Sequence, residues 1–154
     1  MEPTQEEVAE FVVALARIQR HLLDLKIRAR RHPEVTAVSH EWSFLASGPR
    51  LDCSVLADLH GGHWLYWTLA ALLSPSRDKQ SSWQLESAIY LGLGPGEYSA
   101  DERVLHAFSI KDVRTPAELP NALIHAASEL TDTFTIEELL RQAQPIRAAY
   151  LPSP

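Results

Sequence analysis

The hydrophobic positions in the first part of the chain follow a helical spacing. Thr4 and Glu7 have the spacing of a capping box, in which a hydroxyl and a carboxylate satisfy free backbone N–H groups at a helix start. His32-Pro33 ends the pattern, because the residue before a proline is displaced from the helical region. The spacing predicts one long amphipathic helix whose apolar stripe must cover another element. That stripe consists of Val8, Phe11, Val12, Leu15, Ile18, Leu22 and Leu25.

After this helix the apolar period changes to two, which is typical of half-buried strands. Residues 38–46 and 51–59 predict an antiparallel hairpin, and the turn His60-Gly61-Gly62-His63 leads into a third run, Trp64–Leu73. The third run is apolar on both alternations, which predicts a central strand of the sheet. Two further runs, Ser82–Leu93 and the weaker Val104–Ile110, predict the fourth and fifth strands.

Helical signals return near the C-terminus. Thr115-Pro116-Ala117-Glu118 combines an N-cap residue, a proline at the first helical position and a capping glutamate. Thr135 and Glu138 repeat the start signal for a short last helix that ends near Gln144-Pro145. The order predicts an α+β, two-layer fold with an N-terminal helix, an antiparallel meander of four or five strands, and C-terminal helices packed on the sheet. We predict one domain over 1–154, with a loose tail at 150–154.

Composition and charge narrow the range of functions. The 154 residues include 14 Lys and Arg against 20 Asp and Glu, and this net charge of −6 argues against nucleic acid as a partner. Residues 1–37 are neutral, so residues 38–154 carry the whole deficit. The acidic start is unlike a signal peptide, and no uncharged apolar run is long enough to span a membrane. With a single cysteine, these features predict a cytoplasmic protein that binds neither nucleic acid nor membrane.

Candidate catalytic and metal sites are incomplete. His60 and His63, with Cys53 or Asp58 nearby, do not supply the four ligands of a structural zinc site, and we interpret them as turn histidines. Cys53 falls on an inward alternation, where a thiol packs as a small hydrophobe. Gly92-x-Gly94-x-Gly96 has a phosphate-loop spacing, but its proline removes an N–H and no Lys-Ser/Thr follows. We therefore predict no enzyme activity, no cofactor and no metal ligands, and leave metal binding by the two histidines to experiment.

The outward alternation of the meander carries acidic and aromatic residues. Trp and Tyr on a polar surface are enriched at protein interfaces, and acidic side chains around them attract a basic partner. The alternative is that the final helices cover Trp64 and Tyr66 on the second face of the sheet. Ser43, Ser54, Thr68 and Gln84 share the outward alternation. The predicted partner-binding residues are Glu41, Asp52, Asp58, Trp64, Tyr66, Glu86 and Tyr90.

The order of elements resembles that of small immunity proteins of bacterial polymorphic-toxin systems, including contact-dependent and type VI systems. The resemblance is carried by Glu6–Arg31, by the strand run Trp42–Leu93 and by residues 112–123, DVRTPAELPNAL. It implies an α+β protein without catalysis that occludes the active site of a cognate toxin. No functional residue of that family is transferred, because no motif matches position by position.

Type III secretion chaperones are a second resemblance, since they are also small, acidic and α+β. Those chaperones usually interrupt the sheet with a helix after the third strand, whereas residues 74–80 are too few and contain a proline. A chaperone would dimerise alone and bind an extended segment. The leading hypothesis is a non-enzymatic inhibitor, an immunity protein with a basic cognate toxin as its partner. A secretion or assembly chaperone and a small enzyme that uses His60 and His63 are the alternatives, and the oligomeric state is left open.

Overall fold

A computed structural model of the protein describes residues 5–45, 50–75, 81–94, 101–108, 110–115 and 117–150. Thr4 of the predicted capping box, Pro116, Gly96 and the tail residues 151–154 lie outside the described residues. The predicted order of one helix, an antiparallel meander and two final helices is confirmed, and the fold is α+β. The elements are α1 (Gln5–Arg30), β1 (Val35–Leu45), β2 (Arg50–Leu59), β3 (Trp64–Pro75), β4 (Ser81–Leu93), β5 (Asp101–Ala107), β6 (Lys111–Val113), α2 (Leu119–Asp132) and α3 (Ile136–Ala149).

The six strands form one antiparallel sheet in the order β1-β2-β3-β4-β5, with β6 also paired to β4. The predicted fifth run, 104–110, overlaps only β5, which begins earlier and ends earlier than predicted, and β6 is an additional strand that the pattern did not predict. β5 pairs with residues 88–93 of β4 and includes a register shift between Ile89 and Tyr90, whereas β6 pairs with residues 83–85. Because the connection between them is short, β5 and β6 both lie along the same edge of β4.

The hydrophobic core lies between the sheet and the three helices. α1 contacts β1 and β2, α2 contacts β3 and β4, and α3 reaches β5. Inward-facing and outward-facing side chains alternate along each strand, as the period of two predicts. Trp67 is one of the largest side chains in the core and is almost fully buried. The same core contains Val55, Leu65, Leu69, Ile89 and Leu91 of the sheet and Ile18, Leu25, Leu123, Leu130 and Leu139 of the helices.

The helices differ from the predicted ones in three respects. Val12, expected in the core stripe of α1, is 58% exposed, and Ala14 occupies a core position instead. α2 begins at Leu119 rather than at the Thr115 signal, because residues 117 and 118 form a turn before it. α3 continues past Pro145, which lies on its exposed side, where water can satisfy the carbonyl that loses its helical partner.

Candidate binding face

The strand register places every predicted outward residue on one side of the sheet, and this expectation is confirmed. One row across the strands is Ser39, Leu56, Tyr66 and Tyr90, each opposite the next. We call this side, which faces away from the three helices, the open face. It carries Glu41, Ser43, Asp52, Ser54, Asp58, Trp64, Tyr66, Thr68, Gln84, Glu86 and Tyr90.

Three aromatic side chains pack against one another in a row on the open face. The rings of Trp64 and Tyr66 meet edge to face with centroids 6.0 Å apart, and those of Tyr66 and Tyr90 are tilted at 6.4 Å. Trp64 is only 3% exposed although it does not belong to the core between sheet and helices. On the open face its indole lies directly over the backbone of Gly92, and this contact contributes to its burial. Trp64 therefore supports Tyr66, while the half-buried tyrosines offer the contact surface.

A shallow depression of about 590 Å³ lies in the middle of the open face. Tyr66 and Tyr90 line it, and Phe108 and Ile110 from the connection between β5 and β6 also border it. Four carboxylates and one guanidinium belong to the same lining. The depression is therefore a strongly acidic site with aromatic walls. The charged residues are Glu41, Asp52, Glu86, Glu102 and Arg50.

Among the described residues that line the depression, Arg50 is the one base. Its Nε donates a hydrogen bond to a carboxylate oxygen of Asp52 at 2.6 Å. This hydrogen bond and the charge of Asp52 raise the pKa of Arg50, and the charge of Glu86 acts in the same direction. Arg50 therefore stays cationic and pairs with Asp52, whereas Glu41, Glu86 and Glu102 form no ion pair among the residues that the structure describes.

The structure brings together most, but not all, of the predicted partner-binding residues. Asp58 and Trp64 lie opposite each other on the open face, but both are outside the lining of the depression. Arg50 and Glu102 were not among the predicted residues. Arg50 is two positions before Asp52, so strand alternation alone assigns it to the open face. The sequence pattern did not indicate Glu102, because it predicted that the fifth strand begins at Val104. In the structure β5 begins earlier, and Glu102 pairs with Gly92 of β4.

The turn with His60 and His63 has structural contacts. Gly61 and Gly62 both adopt positive φ, 90° and 84°, as the sequence pattern of a tight hairpin indicates. Nε2 of His60 donates to the carbonyl oxygen of Pro33 at 3.1 Å. Nδ1 of His63 accepts from the backbone N–H of Gly94 at 3.2 Å, and its ring meets Tyr150 edge to face. Each imidazole thus fastens a loop to this end of the sheet.

Metal-binding and nucleophilic groups are not assembled elsewhere in the described ranges. Among the residues that the structure describes, no group of three or more His, Cys, Asp or Glu side chains is arranged to hold a metal ion. Cys53 is 2% exposed, and burial, with a smaller contribution from the charge of Asp52, raises its pKa to about 12. The Cys53 thiol is therefore protonated at neutral pH and packs as the inward alternation predicts.

His63 gives the fold a pH dependence of defined sign. Burial, and next the charge of Arg147, lowers the pKa of His63 in the folded protein below its ordinary value of 6.5. As the pH falls through 6.5, the unfolded state takes up a proton that the folded state resists, so the free energy of unfolding decreases. We expect His63→Asn, which keeps an acceptor for Gly94, to flatten this part of the stability profile. Chemical denaturation of both proteins from about pH 7.5 to pH 5 measures it, and identical slopes would contradict the assignment.

Comparisons with known proteins do not identify a family. A scan against protein-family models gives no match, and searches of curated proteins and of solved structures also find no similar protein. Within the described ranges, the helices are too short or too polar to cross a bilayer.

Proposed function

We propose that this protein is a non-enzymatic immunity protein that binds a basic bacterial toxin through the open face and occludes the toxin's active site. The observation that carries the proposal is the acidic depression around Tyr66 and Tyr90. The proposal also includes action in the cytoplasm, where a single buried thiol such as Cys53 stays reduced. It requires no catalytic group and no cofactor.

The two kinds of side chain in the depression have complementary effects on binding. Tyrosine rings provide a large contact area with little conformational entropy to lose, and their hydroxyls can pair with polar groups of a partner. Carboxylates accelerate association with a basic surface and disfavour acidic or neutral competitors. Because these groups stand on adjacent hydrogen-bonded strands, they are held in position before the partner arrives, which lowers the entropic cost of binding.

The proposal is tested by capture with three immobilised proteins. The first is the wild type, the second carries Glu41→Lys and Glu86→Lys, and the third carries Glu6→Lys and Glu137→Lys on the helical layer as a control of equal charge change. We expect a basic protein that binds the wild type and the control but not the Glu41/Glu86 variant. Expressed alone, this protein should be toxic to bacteria, and co-expression of the wild type should restore growth.

Two outcomes contradict the proposal. Capture of the same proteins by all three baits would exclude the open face as the binding surface. Capture of a protein that is harmless when expressed alone would leave the open face as a binding site but exclude an immunity function.

A further inference from the structure

α1 is apolar on two opposite sides. One side packs on the sheet and on α2 and includes Ile18 and Leu25, which are fully buried. The other side carries exposed large hydrophobic residues, whose burial would be favourable by the ordinary hydrophobic effect. Scattered exposed residues of this kind are common, but these lie on one helix face. They are Val12, Val13, Leu23 and Ile27, exposed by 58%, 53%, 40% and 48%.

The exposed side of α1 has the spacing of a coiled-coil seam. Steps of four and three residues connect Ala9, Val13, Ala16, position 20, Leu23 and Ile27, and these positions lie opposite the buried stripe of the helix. Only position 20, an arginine, interrupts the apolar series. A seam with this period packs against a second helix by inserting side chains into the gaps of the facing helix. We call these positions the outer seam of α1.

Charged residues flank the outer seam at every seventh position on one side, in the order Glu10, Arg17, Asp24 and Arg31. Arg31 continues the helical spacing, because its N–H bonds the carbonyl of Ile27. In the described part of the chain these four side chains form no ion pair, whereas Arg28 of the same helix pairs with Asp132. A helix dipole favours acids at the start and bases at the end. It gives no reason for an Arg17 in the first half or an Asp24 in the second.

An antiparallel pairing of two α1 helices matches these charges completely. With Ala16 placed opposite Ile27 of a second copy, Glu10 lies beside Arg31 of that copy and Arg17 beside Asp24. Twofold symmetry repeats both contacts, so four opposite-charge pairs flank the seam. A parallel pairing instead places Lys26 beside Arg31 of the second copy, where the two positive charges repel each other. It forms none of the four opposite-charge pairs.

We propose that the protein forms an antiparallel homodimer through the outer seam of α1, with Glu10–Arg31 and Arg17–Asp24 pairs between the copies. At the same register the aliphatic stem of Arg20 covers Leu23 of the other copy, and its guanidinium reaches water. The small Ala16 faces the larger Ile27, which suits close packing. Because α1 lies on the helical layer, both open faces stay accessible in the dimer. Dimerisation is therefore compatible with the proposed toxin binding and does not depend on it.

Charge reversals in the homodimer test the orientation as well as the contact. Glu10→Arg alone converts two attractions into repulsions, and Arg31→Glu alone does the same. We expect each single variant to raise the dimer dissociation constant about tenfold, since exposed pairs contribute modestly one by one. The Glu10→Arg/Arg31→Glu double variant recreates both attractions with the signs exchanged, and its dissociation constant should return close to that of the wild type.

Sedimentation equilibrium of the purified full chain over a concentration series measures these constants, with Glu41→Arg on the open face as a charge control away from α1. Leu23→Asp should abolish the dimer and leave the circular dichroism spectrum unchanged, because the side chain is exposed in the single chain. A wild type that stays monomeric throughout the series would overturn the proposal. A double variant as weak as either single variant would also overturn it, as would a dimer that survives Leu23→Asp.

Discussion

Replacement of Gly92 by alanine is expected to destabilise the protein by roughly 3 kcal/mol, which lowers the unfolding midpoint by about 10 °C for a chain of this size. A Cβ atom at Gly92 would lie 1.8 Å from Cε2 of Trp64 and 2.2 Å from its Cδ2. These are ring atoms of a buried side chain, so either the indole must leave its place or β3 and β4 must separate. Thermal and denaturant unfolding of the variant measure the loss.

The contact with Trp64 is tested by a double-mutant cycle. Trp64→Ala alone removes a buried ring and destabilises the protein, but it also removes the atoms that an alanine at position 92 would strike. We therefore expect Gly92→Ala to cost little in the Trp64→Ala background, so that the two changes are far from additive. Additive effects would show that the loss arises from the backbone at Gly92 and not from the indole.

The same contact marks the limit of what the sequence could predict about the open face. The period of two assigned all the predicted partner-binding residues to one side, since alternation is a local property of each strand. Whether an outward Trp64 is accessible depends on the residue opposite it on the next strand. Glycine at position 92 lets the indole lie down on β4, and that pairing is set by register rather than by local pattern.

The remaining differences also arise from contacts between distant segments. The pattern of α1 satisfies helical spacing on two sides, so sequence alone could not tell that Val12 lies away from the core while Ala14 faces it. The early start of β5 and the existence of β6 depend on where each of them pairs with β4. The pairing of β5 with β4 also places Glu102 beside the depression. By contrast, the positive φ of Gly61 and Gly62 and the packing of Cys53 followed from local chemistry.

Removal of the positive charge of Arg50 is expected to strengthen partner binding, whereas removal of an acidic side chain from the depression should weaken it. Arg50→Gln deletes the base that masks Asp52, so one more carboxylate of the depression becomes available to a basic partner. We expect several-fold tighter binding for Arg50→Gln, several-fold weaker binding for Glu86→Gln, and a loss of about a hundredfold for Glu41→Lys combined with Glu86→Lys. Stopped-flow association with the captured partner should show most of these changes in the association rate.

Two measurements distinguish this electrostatic mechanism from damage to the fold: the free energy of unfolding and the salt dependence of the association rate. Arg50 and Glu86 are exposed, and the Arg50–Asp52 ion pair is a surface pair, so each single substitution should change the free energy of unfolding by less than about 1 kcal/mol. The differences in association rate should shrink as salt screens the open face. If Arg50→Gln weakens binding as much as Glu86→Gln does, the charge of the depression does not attract the partner. The tyrosines would then have to provide recognition without help from the surrounding acids.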